Sequence, residues 1–226
     1  MRTGHTSARN GLLAAGIPLL MQLLSCAPIT ASVESHGAIA PESAKTYVFN
    51  CSDAFNFVAR TGEGQVWLFL PGNTVRYQQL KDGRYSDGES MFEINGEIST
   101  LETAEGRHLE CVNDRRSAIW EHAKLNGADF RAVGNEPGWN LEIRHQSMIA
   151  LATNYGMDQY EFELPEAETD TTARTTRYKV VQDGHELLIS LSGKPCRDVM
   201  SGESFETTVE VIFDGQVLTG CGRALH

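Results

Sequence analysis

"QVWLFLPGNTVRYQQLKDGRYSDGESMFEINGE", residues 65–97, alternates apolar runs with clusters of Gly, Asn, Asp and Ser. The runs "QVWLFL", "TVRYQQL" and "SMFEIN" are short and rich in aromatic and β-branched side chains. The segments between them have turn composition: Asp and Ser bond their own backbone, and Gly supplies positive φ. The stretch therefore reads as antiparallel strands joined by turns.

The same rhythm extends in both directions. "TYVFNC" and "FNFVAR" precede it and "ISTLET" and "HLECV" follow, giving one antiparallel domain over residues 46–112. A second series occupies residues 129–226: "DFRAVG", "WNLEIR", "SMIALAT", "YEFELPE", "TTRYKVVQ", "ELLISLSG", "TTVEVIF" and "QVLTGCG". "DG" at 183–184 and again at 214–215 predicts tight hairpins there. Between the two series, residues 113–128, "NDRRSAIWEHAKLNGA", predict a short helical linker. Asn113 or Asp114 would cap its start and Gly127 its end, with Ile119, Trp120 and Ala123 on the packed face. The expected fold class is all-β: two small antiparallel β-barrels in tandem joined by a short helix, because closure removes exposed strand edges.

The first residues read as an address. Arg2 and Arg9, the apolar run 11–24 and "LLSC" ending at Cys26 have the pattern of a lipoprotein signal peptide over residues 1–25. The run is shorter than the ~20 residues a spanning helix needs. Cleavage before Cys26 would leave that cysteine to carry diacylglycerol and a further acyl chain such as palmitate. At about 0.8 kcal/mol per buried methylene, several chains anchor a protein firmly to a membrane. Ala27 after the cysteine favours the outer membrane of a Gram-negative cell, facing the periplasm. Residues 26–45 are poor in large apolar side chains and read as a disordered tether.

Formal net charge is -11, and the signal peptide holds two of the 19 basic residues and no acidic one; 17 basic against 30 acidic leaves -13 for the exported chain. That balance disfavours nucleic acid and anionic lipid surfaces and suits a soluble cationic partner. With Cys26 lipidated, four cysteines remain, and export lets them pair. Of three connectivities, the one without crossing or nesting joins Cys51 to Cys111 and Cys196 to Cys221. No Cys-x-x-Cys and no paired histidine spacing occurs, so neither metal nor cofactor is expected.

Tyr47, Cys51, Phe55 and Phe57, then "RYSDG" at 84–88, Phe92, Gly96 and Cys111, together resemble the membrane-bound and periplasmic inhibitors of c-type lysozyme. The resemblance covers residues 46–112. It implies a small eight-stranded barrel, pinned by a disulfide near its ends, that inserts a loop into the lysozyme active-site cleft. In the family a Ser-Gly-x-x-Tyr loop does this, helped by a Lys just before the later Gly. Aligned on Tyr85, those positions fall here on Lys81 and Asp82, and the Lys position falls on Asn95. The lysozyme-binding loop implied in this chain comprises Lys81, Asp82, Arg84, Tyr85, Ser86 and Asn95. An ammonium at Lys81 could pair with the ionised carboxylate of a lysozyme cleft where a serine would have hydrogen-bonded. Asp82, Asp87, Glu89, Glu93 and Glu97 surround the loop, which suits a basic partner.

"VGNEPGW" at 133–139, "PCRDVMSG" at 195–202 and "GCGRAL" at 220–225 resemble an uncharacterised bacterial envelope lipoprotein domain, which implies no particular chemistry. Pro137 and Gly138 predict a turn that delivers Trp139 to a strand, with Glu136 a turn residue. Ser201, Asp198 and His185 are residue types of a hydrolase site, but the Ser lies in "MSG", outside any strand-to-helix elbow; no catalytic residue and no enzymatic activity is expected. Two functions remain: a lipid-anchored inhibitor of c-type lysozyme that protects peptidoglycan, or a non-catalytic structural or ligand-binding envelope lipoprotein whose inhibitor loop is degenerate.

Overall fold

Alternation along the first strands decides which side of each one is buried. In this computed structural model, which describes residues 44–144 and 147–226, the strands β1 (Lys45–Asn50), β2 (Asn56–Gly62), β3 (Gln65–Leu70), β4 (Asn73–Gln79), β5 (Tyr85–Ser86), β6 (Met91–Asn95), β7 (Ile98–Thr103) and β8 (Gly106–Asn113) form a closed antiparallel barrel. Closure comes where β1 meets β8, with Phe49 opposite Asn113 and Asn50 opposite Val112. Every second residue points inward: Phe57 and Ala59, Val66 and Leu68, Tyr77, Phe92, and Leu101 are all buried. Phe49, Phe57 and Phe92 pack with ring centroids 5.3 to 6.1 Å apart. Eight strands enclose an interior that side chains of this size fill. The Cys51–Cys111 disulfide ties the end of β1 to β8.

A helix follows, α1 (Arg115–Leu125). Asp114, not Asn113, is its N-cap, accepting from the backbone N–H groups of Arg116 (3.0 Å) and Ser117 (3.1 Å). Asn126 is the C-cap, and Gly127 at φ 84° turns the chain out of the helix. Ala118, Trp120 and Ala123 are its buried residues. Ile119, expected on that face, is 52% exposed, because the helix lies between two partners and its third side meets solvent. On the barrel side Asp114 N–H donates to the carbonyl of Val48. On the other side Trp120 packs with Phe205 and Cys221 and carries the Arg223 guanidinium 4.4 Å above its ring.

The second unit contains β9 (Phe130–Asn135), β10 (Gly138–Arg144), β11 (Met148–Thr153), a 3-10 turn (Asn154–Gly156), β12 (Asp158–Glu163), β13 (Glu168–Asp170), β14 (Thr175–Gln182), β15 (His185–Ser192), β16 (Cys196–Arg197), β17 (Ser204–Phe205), β18 (Thr207–Phe213) and β19 (Gln216–Ala224). β16 and β17 pair with each other, and the rest form one nine-stranded sheet in the order β12-β11-β10-β9-β19-β18-β15-β14-β13. The sheet curls into a half-barrel around Leu141, Ile149, Leu151, Leu187, Ile189, Val209, Val211 and Leu218. The Gln182 side chain spans from β14 to β12, accepting from Glu163 N–H at 2.9 Å and donating to Glu161 C=O at 3.5 Å. Both "DG" pairs form the expected hairpins: Asp183, Gly184, Asp214 and Gly215 all have positive φ.

Trp139 sets the local spacing of this sheet. Its indole N–H donates to the Thr219 carbonyl at 3.3 Å, and the ring lies over Gly134 and Gly220. A Cβ on Gly134 would come within 2.0 Å of the indole nitrogen, and one on Gly220 within 2.1 Å of the Val133 carbonyl oxygen. Only glycine permits β9 and β19 to approach that closely.

Candidate functional site

The turn after β4 is held from three directions. Leu80 N–H donates to Arg84 C=O (2.7 Å), Gly83 N–H donates to Leu80 C=O (3.0 Å), and the Asp82 carboxylate accepts from Arg84 N–H (3.1 Å). Gly83 adopts φ 89°, which a side chain would oppose. The Arg84 guanidinium closes on the same carboxylate at 2.7 Å. That contact holds the Asp82 carboxyl below its ordinary range and raises Arg84. Two of the sequence-derived loop residues thus neutralise each other.

Lys81 sits at the exposed tip of this turn, with no ion pair or side-chain hydrogen bond among the described residues. Tyr85 and Ser86 are not loop but strand β5, paired to Gln79 and Gln78 on one side and to Phe92 and Met91 on the other. The Tyr85 ring is half-buried against Phe92, and burial raises its phenol pKa. Ser86 Oγ donates to Ser90 C=O (2.7 Å) and accepts from Gly88 N–H (2.9 Å), so its hydroxyl shapes the next turn. Asp87 accepts from Glu89 and Ser90 N–H in that same turn.

Asn95 ends β6 and is exposed. Antiparallel alternation puts the β4–β5 and β6–β7 turns at the same end of the barrel, so Lys81, Asp82, Arg84 and Asn95 share that end. A shallow hollow of about 400 Å³, lined by Glu93, Ile98, Ser99 and Thr100, lies beside Asn95. Glu97, counted above among the acidic surround, is engaged: its carboxylate accepts from Arg115 (2.9 Å) and Asn113 (2.8 Å), which lowers its pKa. The arrangement offers one unpaired ammonium and one amide on a stiff turned surface, groups able to donate hydrogen bonds to a carboxylate.

Elsewhere the residues singled out in the sequence take structural roles. The Asp198 carboxylate accepts from Ser201 N–H (3.1 Å) and Met200 N–H (3.3 Å) and contacts Asn135 Nδ2. These bonds, with Ser201's side chain first among them, lower the Asp198 pKa. His185 is paired through Nδ1 to Asp214 at 2.6 Å and packs on Tyr160 and Phe213, so it belongs to the hairpin end and not to the Ser201 loop. The Cys196–Cys221 disulfide staples that loop to β19. Glu136 precedes Pro137 in the β9–β10 turn. Among the described residues no group of three or more His, Cys, Asp or Glu is placed to hold a metal ion, and no helix is long and apolar enough to cross a membrane. Cys26, the signal peptide and all but the last two residues of the tether lie outside the described residues.

Sequence reasoning missed the polar contacts of the helix. Arg60 on β2, Thr46 on β1, His122 on α1 and the C-cap Asn126 are joined in one hydrogen-bonded chain. The one available signal was the i, i+4 spacing of His122 and Asn126 on a helix. No protein-family model, curated protein or solved structure matches the chain.

Proposed function

We propose that this chain is a lipid-anchored envelope protein that inhibits c-type lysozyme by inserting the β4–β5 turn into the enzyme's active-site cleft, protecting peptidoglycan. The observation that carries this reading is Lys81: an unpaired ammonium at the tip of a turn whose other charges, Asp82 and Arg84, are paired with each other. A c-type lysozyme cleft holds two carboxylates, one of them ionised, and a charge-assisted bond to it is worth roughly 1.5–3 kcal/mol. The bracing of the turn lowers the entropy lost on docking. The closed eight-stranded barrel and its Cys51–Cys111 disulfide agree with what the resemblance implies. Net charge of -11 would steer a basic enzyme towards the protein.

The test is direct. The purified protein is added to c-type lysozyme acting on cell-wall substrate, and lysis should slow in proportion to the protein added. Unchanged lysis at micromolar protein would remove the reading.

A second reading, a ligand-binding envelope lipoprotein with a degenerate loop, is favoured by a cavity of about 370 Å³ on the half-barrel, lined by Arg177, Ser190, Glu210, Leu188 and Ile212 among others. Its size falls within the range of small-molecule sites. Binding of soluble wall fragments by a protein inert towards lysozyme would select it.

A further inference from the structure

The hydrogen-bonded chain between barrel and helix has a fixed direction. Arg60 Nη2 lies 2.6 Å from Asn126 Oδ1, and a guanidinium can only donate, so the Asn126 carbonyl must face it. The Asn126 amide nitrogen is then the atom that meets His122 Nε2 at 2.9 Å, and it too can only donate. His122 Nε2 is therefore the acceptor and carries no proton. The ring proton sits on Nδ1, where Thr46 Oγ1 lies 3.1 Å away to accept it. Flipping the amide gives no escape, since it would set Asn126 N–H₂ against the Arg60 guanidinium. The chain closes only with neutral imidazole, and the residue that fixes its direction, Arg60, does not change charge in the physiological range.

The surroundings act the same way. Facing His122 are Arg60 from β2, Arg131 and Arg144 from β9 and β10, and one carboxylate, Glu142, already paired to Arg131 and 3.5 Å from Arg144. Lys45, Glu97 and Arg115 line the same cleft, with Glu97 and Arg115 paired to each other. Among the described residues, an imidazolium here would join a set of cations with no unpaired carboxylate beside it. Burial, first, and then Arg60 lower the His122 pKa from 6.5.

The position of the chain gives that proton a mechanical consequence. Near its start, α1 is held to the barrel by Asp114 N–H to Val48 C=O and by Val48 N–H to Asn113 Oδ1. Near its end it is held by the Thr46–His122 and Arg60–Asn126 contacts. The half-barrel is mounted on the helix through Trp120, with Arg223 and Arg131 against its ring.

We infer that His122 is an acid-released latch: protonation of Nε2 sets N–H against N–H at Asn126, breaks the Thr46–His122–Asn126–Arg60 chain, and lets the helix and the half-barrel swing from the barrel about the Asp114–Val48 end. Because the folded pKa is depressed, the latch is closed above 6.5, the ordinary histidine value, and is lost as pH falls through the folded value below it. This inference stands whether or not the barrel binds lysozyme.

The His122 ring is followed by NMR from pH 8 to 4 in the intact protein, and overall dimensions are followed by solution scattering across the same range. The wild-type ring should titrate below 6.5, with an increase in radius of gyration on the same midpoint, and His122→Gln should abolish the increase. Asn126→Asp, which puts an anion in place of the donor, should move the midpoint above 6.5. A wild-type midpoint at or above 6.5, an expansion that persists unchanged in His122→Gln, or an unmoved midpoint in Asn126→Asp would each overturn the latch. Should His122→Gln fail to fold, the direction of the Asn126→Asp shift still decides.

Discussion

The guanidinium of Arg84 lies 2.7 Å from the Asp82 carboxylate two residues before it, and the pair closes the turn from which Lys81 projects. Arg84 was as good a candidate as Lys81 on charge alone. The geometry separates them: one cation is internally satisfied, the other is not.

Lys81→Ala should therefore weaken lysozyme inhibition by roughly 10- to 100-fold, the equivalent of a lost charge-assisted contact. Arg84→Ala should change it far less, through loosening of the turn alone. Inhibition constants measured for both variants check this, and equal losses would mean that the turn docks by another route.

Gly220→Ala and Gly134→Ala should each destabilise the half-barrel by about 3 kcal/mol, the upper part of the range for overpacking, because the obstruction includes backbone that cannot rotate away. The added methyl meets the Val133 carbonyl oxygen in one case and the Trp139 ring and Thr219 carbonyl in the other. Urea unfolding followed by Trp fluorescence reads the loss, and a change under about 0.5 kcal/mol, the scale of a neutral surface substitution, would show that the sheet can open at the Trp139 slot.

Much of this fold was legible from period and punctuation. Both "DG" hairpins, the helix between the sheets and the non-crossing cysteine pairs lie where the sequence puts them. The eighth barrel strand was not visible locally, because β5 is only Tyr85–Ser86 and two residues show no alternation. It hides inside "RYSDG", which reads as pure turn. Ile119 misled because its helix meets partners on two sides, a tertiary fact that a single apolar stripe does not encode. The site was half legible: alignment on Tyr85 set Lys81 at the position of the family serine, and the Asp82 contact adds that Arg84 is the paired cation of the two. The His122 chain joins residues up to 76 positions apart, beyond any local pattern.

The two disulfides should differ in weight. In the chain-entropy model a bridge stabilises more as its loop lengthens, which gives about 4.3 kcal/mol for the 60-residue separation of Cys51–Cys111 and about 3.5 kcal/mol for the 25-residue separation of Cys196–Cys221. Cys51→Ala/Cys111→Ala should accordingly lower unfolding stability more than Cys196→Ala/Cys221→Ala. Chemical denaturation of both double variants tests the order, and its reversal would place the larger effect in the folded β16–β17 loop instead of the unfolded chain.

That loop should also respond to acid in its own range. Asp198 accepts from Ser201 and Met200 and touches Asn135, and these bonds favour its ionised form, so its folded pKa lies below the ordinary 3.8. A depressed carboxylate contributes stability that is present above the unfolded value and is lost as pH falls through the folded one. Amide exchange protection at Ser201 and Gly202 should therefore hold from neutral pH down to about 4 and fall below that. Asp198→Ala, which removes the acceptor, should lower that protection at every pH and abolish the acid step. The step is also separable from the His122 latch, since Asp198→Ala should remove it and leave the His122 titration in place. Exchange at Ser201 that falls together with the His122 titration would show that the two halves of the molecule loosen as one unit and that Asp198 does not set the stability of its own loop.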